Sequence, residues 1–349
     1  MALLAKLAKG GSKEGKRSLT DTNLLLIITV VVFILMYLFA MVVLGKGFLK
    51  WQTFFNILNA NAPLLITACG LTIVMICGSI DISVGGVVGL VTMCCAVNLD
   101  YQGGSPLTAL LIALGIGLAF GLIQGFLVAY LDIQPFIVTL AGMFFARGMT
   151  TIVHTEPFNV ENEAFGALMR TRIYIPFLGS PNNSGVFMPA YMEIGVAVAL
   201  IIVVLLFVGL RWTSLGRSFY ALGGNRQSAL MLGINTKRSL FLAHLISGLL
   251  AGIAGFVYIM HSGSGAVTNA SGMEMNAIAA SIIGGTMLTG GVGNIAGTFF
   301  GVLSLSTIQN IVSSAGFDEA WWSKITVAAM ICLFLVIQSV VLARKKQVE

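Results

Sequence analysis

The feature that most limits this chain is a series of long apolar runs with almost no charge inside them. They lie near residues 24–44, 61–79, 84–99, 107–130, 135–153, 192–210, 239–260, 276–290, 294–314 and 323–342. A helix needs roughly 20 such residues to cross the hydrocarbon core of a bilayer. In lipid every backbone N–H and C=O must be paired within the protein, which a helix does by itself. The runs predict an all-α polytopic membrane protein with about ten transmembrane helices. The runs 84–99 and 276–290 are short and glycine-rich, so either could be bent or partial. Only 9% of residues are charged and mean hydropathy is +0.97, against about 25% charged in soluble domains. A soluble globular domain is excluded.

Charge placement orients the runs. Of 19 Lys and Arg, five precede residue 24, five fall in 211–238 and three follow residue 343. Clusters of this kind in short loops mark cytoplasmic segments. With the basic tail 1–23 inside, six crossings bring the chain back inside at 211, and four more bring the Arg344-Lys345-Lys346 tail (343–349) inside too. Both termini are therefore expected in the cytoplasm. Lys46 and Lys50 fall on the outer side, a mild exception. The polar stretch 154–191 is the expected external loop, with room for a short surface helix. The first run is 21 residues long with no A-x-A site after it, which favours a first span over a cleaved leader. The net charge of +6 is dispersed among such loops and does not point to nucleic acid.

Chemistry of other kinds is missing from the pattern. "GGSKEGKRS" (10–18) nearly reads as a phosphate loop, but Arg17 stands where a Ser or Thr would bind magnesium. "GGVGNIAG" (290–297) is one residue off a dinucleotide fingerprint and lies in an apolar run. The three histidines lack metal-ligand spacing, and Cys69, Cys77, Cys94, Cys95 and Cys332 read as small packing residues. No catalytic triad or carboxylate pair is evident. An uphill transporter of this sequence would draw on an ion gradient or on a separate ATPase, with no cofactor in this chain.

Polar residues inside spans are costly and are functional candidates by default. Asp81 and Ser83, in "CGSIDISVGG", lie between two spans; they can cap the next helix, line a transport path, or do both. Arg147 lies roughly 10 Å along its helix from His154. It can snorkel outward or, the preferred reading, donate into a wet cavity. Asn61, Gln124 and Asn276 bond helix to helix or offer neutral donors and acceptors to a polyol. The acids Asp81, Asp132 and Glu193 all sit near span ends, which argues against a proton relay. Glu274 is assigned to the outer loops.

"GRSFYALGGNRQSALMLGINTKR" (216–238) holds four basic residues and no acid. "NRQSALMLGI" can form a short helix with Ala229, Leu230 and Leu232 as an apolar patch, ended by Gly233. Such a loop can dock another protein or merely fix topology. Here "YALGGNRQSALMLGIN" (220–235) resembles the coupling loop of permease subunits of bacterial ATP-binding-cassette sugar importers of the ribose/galactose/xylose class. "GSIDISVGG" (78–86) and "IAASIIGGTMLTGGVGNIAGTFFG" (278–301) resemble two further stretches of that family, in the same order. The likeness runs from about 54 to 342. "VTLAGMFFARG" and "WWSKI" are most similar to one of the two permeases of the galactofuranose importer. Ser79 and Ile82 depart mildly from the family's usual Gly and Leu.

The resemblance implies a non-catalytic subunit of a bacterial inner membrane, with one permease domain over 24–342. It would form half of a sugar pathway with a similar or identical chain. An ATPase, which alone binds ATP and magnesium, would dock under 211–238, with Arg217, Asn225, Arg226, Ala229, Gly233 and Arg238 at the contact. A soluble binding protein would deliver the sugar outside. A permease for another solute, such as branched-chain amino acids, and a self-sufficient secondary transporter remain as alternatives.

Overall fold

Two helices form the axis of the bundle. In the computed structural model, which describes residues 24–42, 45–181, 187–316 and 320–347, α2 (Trp51–Ile76) is 89% buried over its most apolar stretch and α10 (Thr236–Ser262) 61%. Around them stand α1 (Leu24–Val42), α4 (Pro106–Ala129), α5 (Pro135–Val153) and α7 (Ile194–Trp212), each only 17–22% buried. That contrast follows from the solvent: a helix exposing Leu and Phe in a bilayer has no need of a polar outer face. α12 (Ile295–Ser314) is intermediate. α3 (Val84–Asp100) and α11 (Met273–Ile283) are shorter, and α13 (Ala320–Gln347) closes the chain.

Among the described residues, seven helices are long and apolar enough to cross a membrane; Val84–Asp100, Met273–Ile283 and, within α13, Lys324–Val336 are shorter apolar stretches. Each of the ten sequence runs contains helix among the described residues, with two main differences in extent. Helix α2 begins at Trp51, ten residues before the apolar run that announced it. Gln52, Thr53, Asn56, Asn59 and Asn61 dilute the hydropathy there, and Pro63 reads as a start although the helix passes through it. The run 276–290 is helical only to Ile283; the chain continues in irregular structure to Asn294, where the Asn294 side chain caps α12 through the Ala296 N–H. The tail 1–23 lies outside the described residues, and of 343–349 the helical backbone is described to Gln347.

Close packing at the axis depends on small residues. α4 and α10 cross through Gly117, Gly121 and Gly125 on one side and Gly248 and Gly252 on the other. A Cβ on Gly117 would stand 2.5 Å from the Gly248 carbonyl, and one on Gly248 would stand 2.6 Å from the Cα of Gly121. Glycine lets the two backbones touch, which is how membrane helices gain van der Waals contact without a hydrophobic drive.

Outside the bundle, α6 (Glu163–Arg170) is the expected short surface helix, capped by Asn162. The same loop holds an unexpected hairpin. β2 (Arg172–Pro181) pairs antiparallel with β3 (Phe187–Glu193), setting Tyr174 opposite Tyr191. The Arg172 guanidinium lies 4.1 Å from the Tyr191 ring centroid. Pro176, Pro181 and Pro189 read as loop in the sequence, but the pairing skips the Pro176 region by a register shift, Pro189 pairs with Gly179 at that shift, and Pro181 ends β2. A two-residue strand β1 (Phe158–Asn159) pairs with β4 (Ser264–Gly265) after α10.

Candidate functional site

The break between α2 and α3, residues 77–83, carries a buried polar network. The Asp81 carboxyl accepts from the Ser83 N–H at 3.1 Å, the Ser83 hydroxyl at 2.6 Å and the Ser247 hydroxyl of α10 at 2.8 Å. Ser83 Oγ also lies 3.0 Å from Gln124 Oε1 on α4. One hydroxyl hydrogen cannot serve both oxygens, and the shorter contact to Asp81 takes it. The buried Gln124 Nε2 has no partner among the described residues. An amide turned to point its N–H at Ser83 Oγ satisfies that donor and leaves an acceptor unpaired, the milder fault. His244 Nε2 meets Ser79 Oγ at 3.0 Å in the same region. The network ties the break to α4 and α10, with Asp81, Ser83, Gln124 and His244 all buried.

At the end of α10 away from the basic segment 216–238, the chain folds back into the bundle. Arg147 reaches across from α5 and donates to the carbonyls of Asn269 and Ala270, each at 2.7 Å. Glu274, in the first turn of α11, is buried with its Oε2 unpartnered among the described residues, close enough to Arg147 for the charges to interact. Gly85 and Gly89 of α3 leave room for both: a Cβ at Gly85 would strike the Glu274 carboxyl, and one at Gly89 would stand 2.9 Å from the Arg147 guanidinium. Beside this re-entrant segment lies a cavity of about 220 Å³ whose lining includes Asn61, Tyr258, Thr268, Ser271 and Asn276.

The other end of α10 is organised by the basic segment. α8 (Ser214–Gly224) and α9 (Arg226–Met231) follow one another, and Thr213, Asn225 and Asn235 cap α8, α9 and α10 through the N–H groups of Gly216, Ser228 and Arg238. Gly233, at φ +78°, stands just beyond the end of α9. Ala229 is buried against the chain's own bundle, whereas Leu230, Met231 and Leu232 form an exposed apolar edge beside exposed Arg217, Arg226 and Arg238. Arg226 pairs with Asp132, in the turn between α4 and α5, at 3.0 Å, and Lys237 approaches the same carboxylate at 3.8 Å. The Arg226 hydrogen bond, with Lys237 beside it, holds the Asp132 carboxyl below its usual range.

α8 also touches both helix breaks. The Gly291 N–H donates to the Ile76 carbonyl at 2.9 Å, so the turn before α12 is joined to the end of α2. Gly223 sits on that junction with no room for a side chain against the Ile76 carbonyl. Tyr220 donates its hydroxyl to the Gly293 carbonyl at 2.8 Å. Burial pushes the phenol up to about 12, so it remains a donor at any physiological pH. A cavity of about 380 Å³ opens here, with Ser79, Asp132, Gly223 and Arg226 among its walls.

The structure therefore sorts the sequence candidates into separate places. Asn61 and Asn276 share the cavity beside the re-entrant segment; Asp81, Ser83 and Gln124 share the buried network; the two terminal nitrogens of Arg147 are engaged by backbone carbonyls. Sequence reasoning missed Ser247 and His244 as partners of the network, Glu274 as a buried acid and Asp132 as the partner of Arg226. For Glu274 a signal was present: an acid placed two residues before an apolar helical run whose first turn it joins. No cluster of three metal-ligating side chains occurs among the described residues.

A polytopic bundle with interrupted helices, whose breaks meet over a basic helical segment, has the build of a transport permease. The chain belongs to the family described as the branched-chain amino acid transport system/permease component, whose model matches residues 53–335. It is 36% identical to an inner membrane ABC transporter permease protein, YjfF, of Escherichia coli strain K12, over 90% of this chain and 92% of that one. It is 34% identical to the fructose import permease protein FruG of Bifidobacterium longum, over 90% of each chain. It is 32% identical to the ribose import permease protein RbsC of Escherichia coli strain K12, over 85% and 88%. No solved structure matches the chain. The chain is a multi-pass, non-catalytic permease subunit of an inner-membrane ATP-binding-cassette transporter.

Proposed function

We propose that this permease forms half of the pathway by which a monosaccharide (galactofuranose, ribose, fructose or a similar sugar) enters the cytoplasm. The observation that carries the reading is likeness along 85–90% of the chain to permeases named for ribose and fructose import. A second permease, similar or identical, completes the pathway. An ATPase subunit binds ATP and magnesium and docks under 211–238, where Leu230, Met231 and Leu232 offer apolar contact beside basic side chains. A soluble binding protein delivers sugar outside, and both termini lie in the cytoplasm. The cycle of ATP binding and hydrolysis rocks the two halves between outward- and inward-facing states.

The family's description makes branched-chain amino acids the second reading. A zwitterionic substrate needs a free cation for its carboxylate. The two terminal nitrogens of Arg147, the cation inside the bundle, are already engaged by carbonyls, which supports a neutral substrate. The test is ATP-driven uptake in proteoliposomes holding the complex purified from its native membrane. Radiolabelled ribose, fructose, galactose and leucine would be compared. Uptake of a sugar and not of leucine is expected; uptake of leucine alone overturns the sugar reading.

A further inference from the structure

The outer faces of the bundle are of two kinds. On α4 and α5 the exposed positions are Leu111, Leu118, Leu122, Phe136, Phe144 and Phe145, a surface suited to acyl chains. The cavity between α2, α10 and the re-entrant segment 263–276 is different. Asn61 spends its amide N–H on the Ile57 carbonyl at 2.8 Å and keeps its oxygen unpaired. Asn276, Ser271, Thr268 and the Tyr258 hydroxyl carry no side-chain hydrogen bond among the described residues, and all five line the same cavity of about 220 Å³. Asn61 lies ten residues along α2 from Trp51, about 15 Å at helical rise. Unpaired polar groups at that depth cannot face lipid without a cost of several kcal/mol. This face therefore meets water or the second permease.

We infer that this cavity is a waypoint for the transported molecule, and that its occupant is a neutral polyhydroxylated ligand. The inference rests on the sugar reading above and names the place where it acts. The lining supplies hydroxyls and carboxamides, groups that both donate and accept, as a sugar hydroxyl does. Among the described residues, no charged side chain lines the cavity. Tyr258 adds an aromatic ring for the apolar face of a sugar ring. Two of the walls, Thr268 and Ser271, flank the carbonyls of Asn269 and Ala270 that Arg147 grips. Arg147 is thus a positioning residue for the cavity and does not contact the ligand.

The test uses the complete transporter in proteoliposomes, with the five native cysteines replaced and single cysteines introduced as Asn276→Cys, Ser271→Cys and, facing lipid, Leu111→Cys. The probe is a membrane-impermeant methanethiosulfonate added outside. Labelling of the first two and not the third is expected, slowed by whichever sugar of the panel the wild type imports. Asn276→Leu is expected to raise the KM for uptake about fivefold, the weight of one lost hydrogen bond, while the maximal rate and ATP hydrolysis hold. Failure of both cavity positions to label, or labelling that no imported sugar slows, overturns the waypoint while leaving sugar import standing. Absence of uptake of any sugar by the wild type instead overturns the functional reading, and with it the ligand assigned here.

Discussion

Arg226, at the start of helix α9, is ion-paired at 3.0 Å with Asp132, in the turn joining α4 to α5. The basic segment is therefore anchored within its own chain as well as open to a partner. Asp132 adopts a left-handed backbone, φ +52°, which Asn tolerates as well as Asp does. Asp132→Asn thus removes charge with little strain. It is expected to lower ATP-driven uptake, as is Arg226→Asp alone. The exchange Arg226→Asp with Asp132→Arg is expected to restore part of it. If the exchange rescues nothing and Arg226→Asp also abolishes ATPase pull-down, the arginine serves the partner alone.

The same pair sets a pH expectation. Its carboxyl is held below the ordinary range, first by the Arg226 hydrogen bond and then by Lys237. A depressed carboxyl contributes stability above its unfolded value and loses it as pH falls through the lower folded value. Uptake by the wild type should therefore show no step attributable to Asp132 between pH 7 and about pH 5. Both partners are half exposed, so salt weakens the pair. A step in that range that vanishes in Asp132→Asn would contradict this.

Gly223 and Gly224 give a paired test of the contact between α8 and the helix breaks. A methyl on Gly223 would meet the Ile76 carbonyl and, at 2.5 Å, the Gly291 nitrogen, both backbone atoms that no rotamer change can move. A methyl on Gly224 meets nothing within 4 Å. Gly223→Ala is expected to destabilise by about 1–3 kcal/mol and to reduce uptake, read as a lower Tm in detergent and a lower rate. Gly224→Ala should match the wild type in both. Equal behaviour of the two variants would remove α8 from the mechanical path.

Much of this was legible in the sequence, for physical reasons. Apolar runs must become helix in lipid, so α4, α5, α7 and α10 fell within a few residues of their expected bounds. The signals of α9 act locally, with Asn225 capping its start and Gly233 standing just past its end, so it could be read from ten residues. Partners distant in sequence could not be read. Nothing near Asp81 announces Ser247, 166 residues away, and nothing near Arg147 announces that two carbonyls 122 and 123 residues on would accept its N–H bonds. The hairpin β2–β3 was hidden because its prolines are tolerated only by the pairing pattern, which single-chain composition does not show.

Arg147 offers a direct test of whether the re-entrant segment needs its grip. Its two nitrogens bond two adjacent carbonyls, a forked geometry that a lysine ammonium cannot reproduce. Arg147→Ala also leaves Glu274 without its nearby cation. A loss of about 3 kcal/mol or more is expected for Ala, from two charge-assisted bonds, and a smaller loss for Lys. Uptake should follow the same order. Full uptake by Arg147→Ala with unchanged Tm would free the arginine from a structural role.

Asp81 is the sharpest case, because its surroundings distinguish a joint from a contact on the pathway. Three donors converge on it: the Ser83 N–H, the Ser83 hydroxyl and the Ser247 hydroxyl. Asp81→Ala strands all three in a buried site, at roughly 1–3 kcal/mol for each donor that finds no other acceptor. Asp81→Asn keeps one acceptor oxygen and exchanges the other for a donor that faces a hydroxyl, which can turn to accept. Ser247→Ala removes a single donor and leaves the carboxyl two others. The expected order of lost Tm is Asp81→Ala, then Asp81→Asn, then Ser247→Ala. If the network is a joint holding the α2–α3 break to α4 and α10, uptake falls in that order alongside Tm, and insertion into the membrane is preserved. If Asp81→Asn keeps its Tm yet loses uptake, the carboxyl meets the substrate in another state of the cycle and belongs to the path.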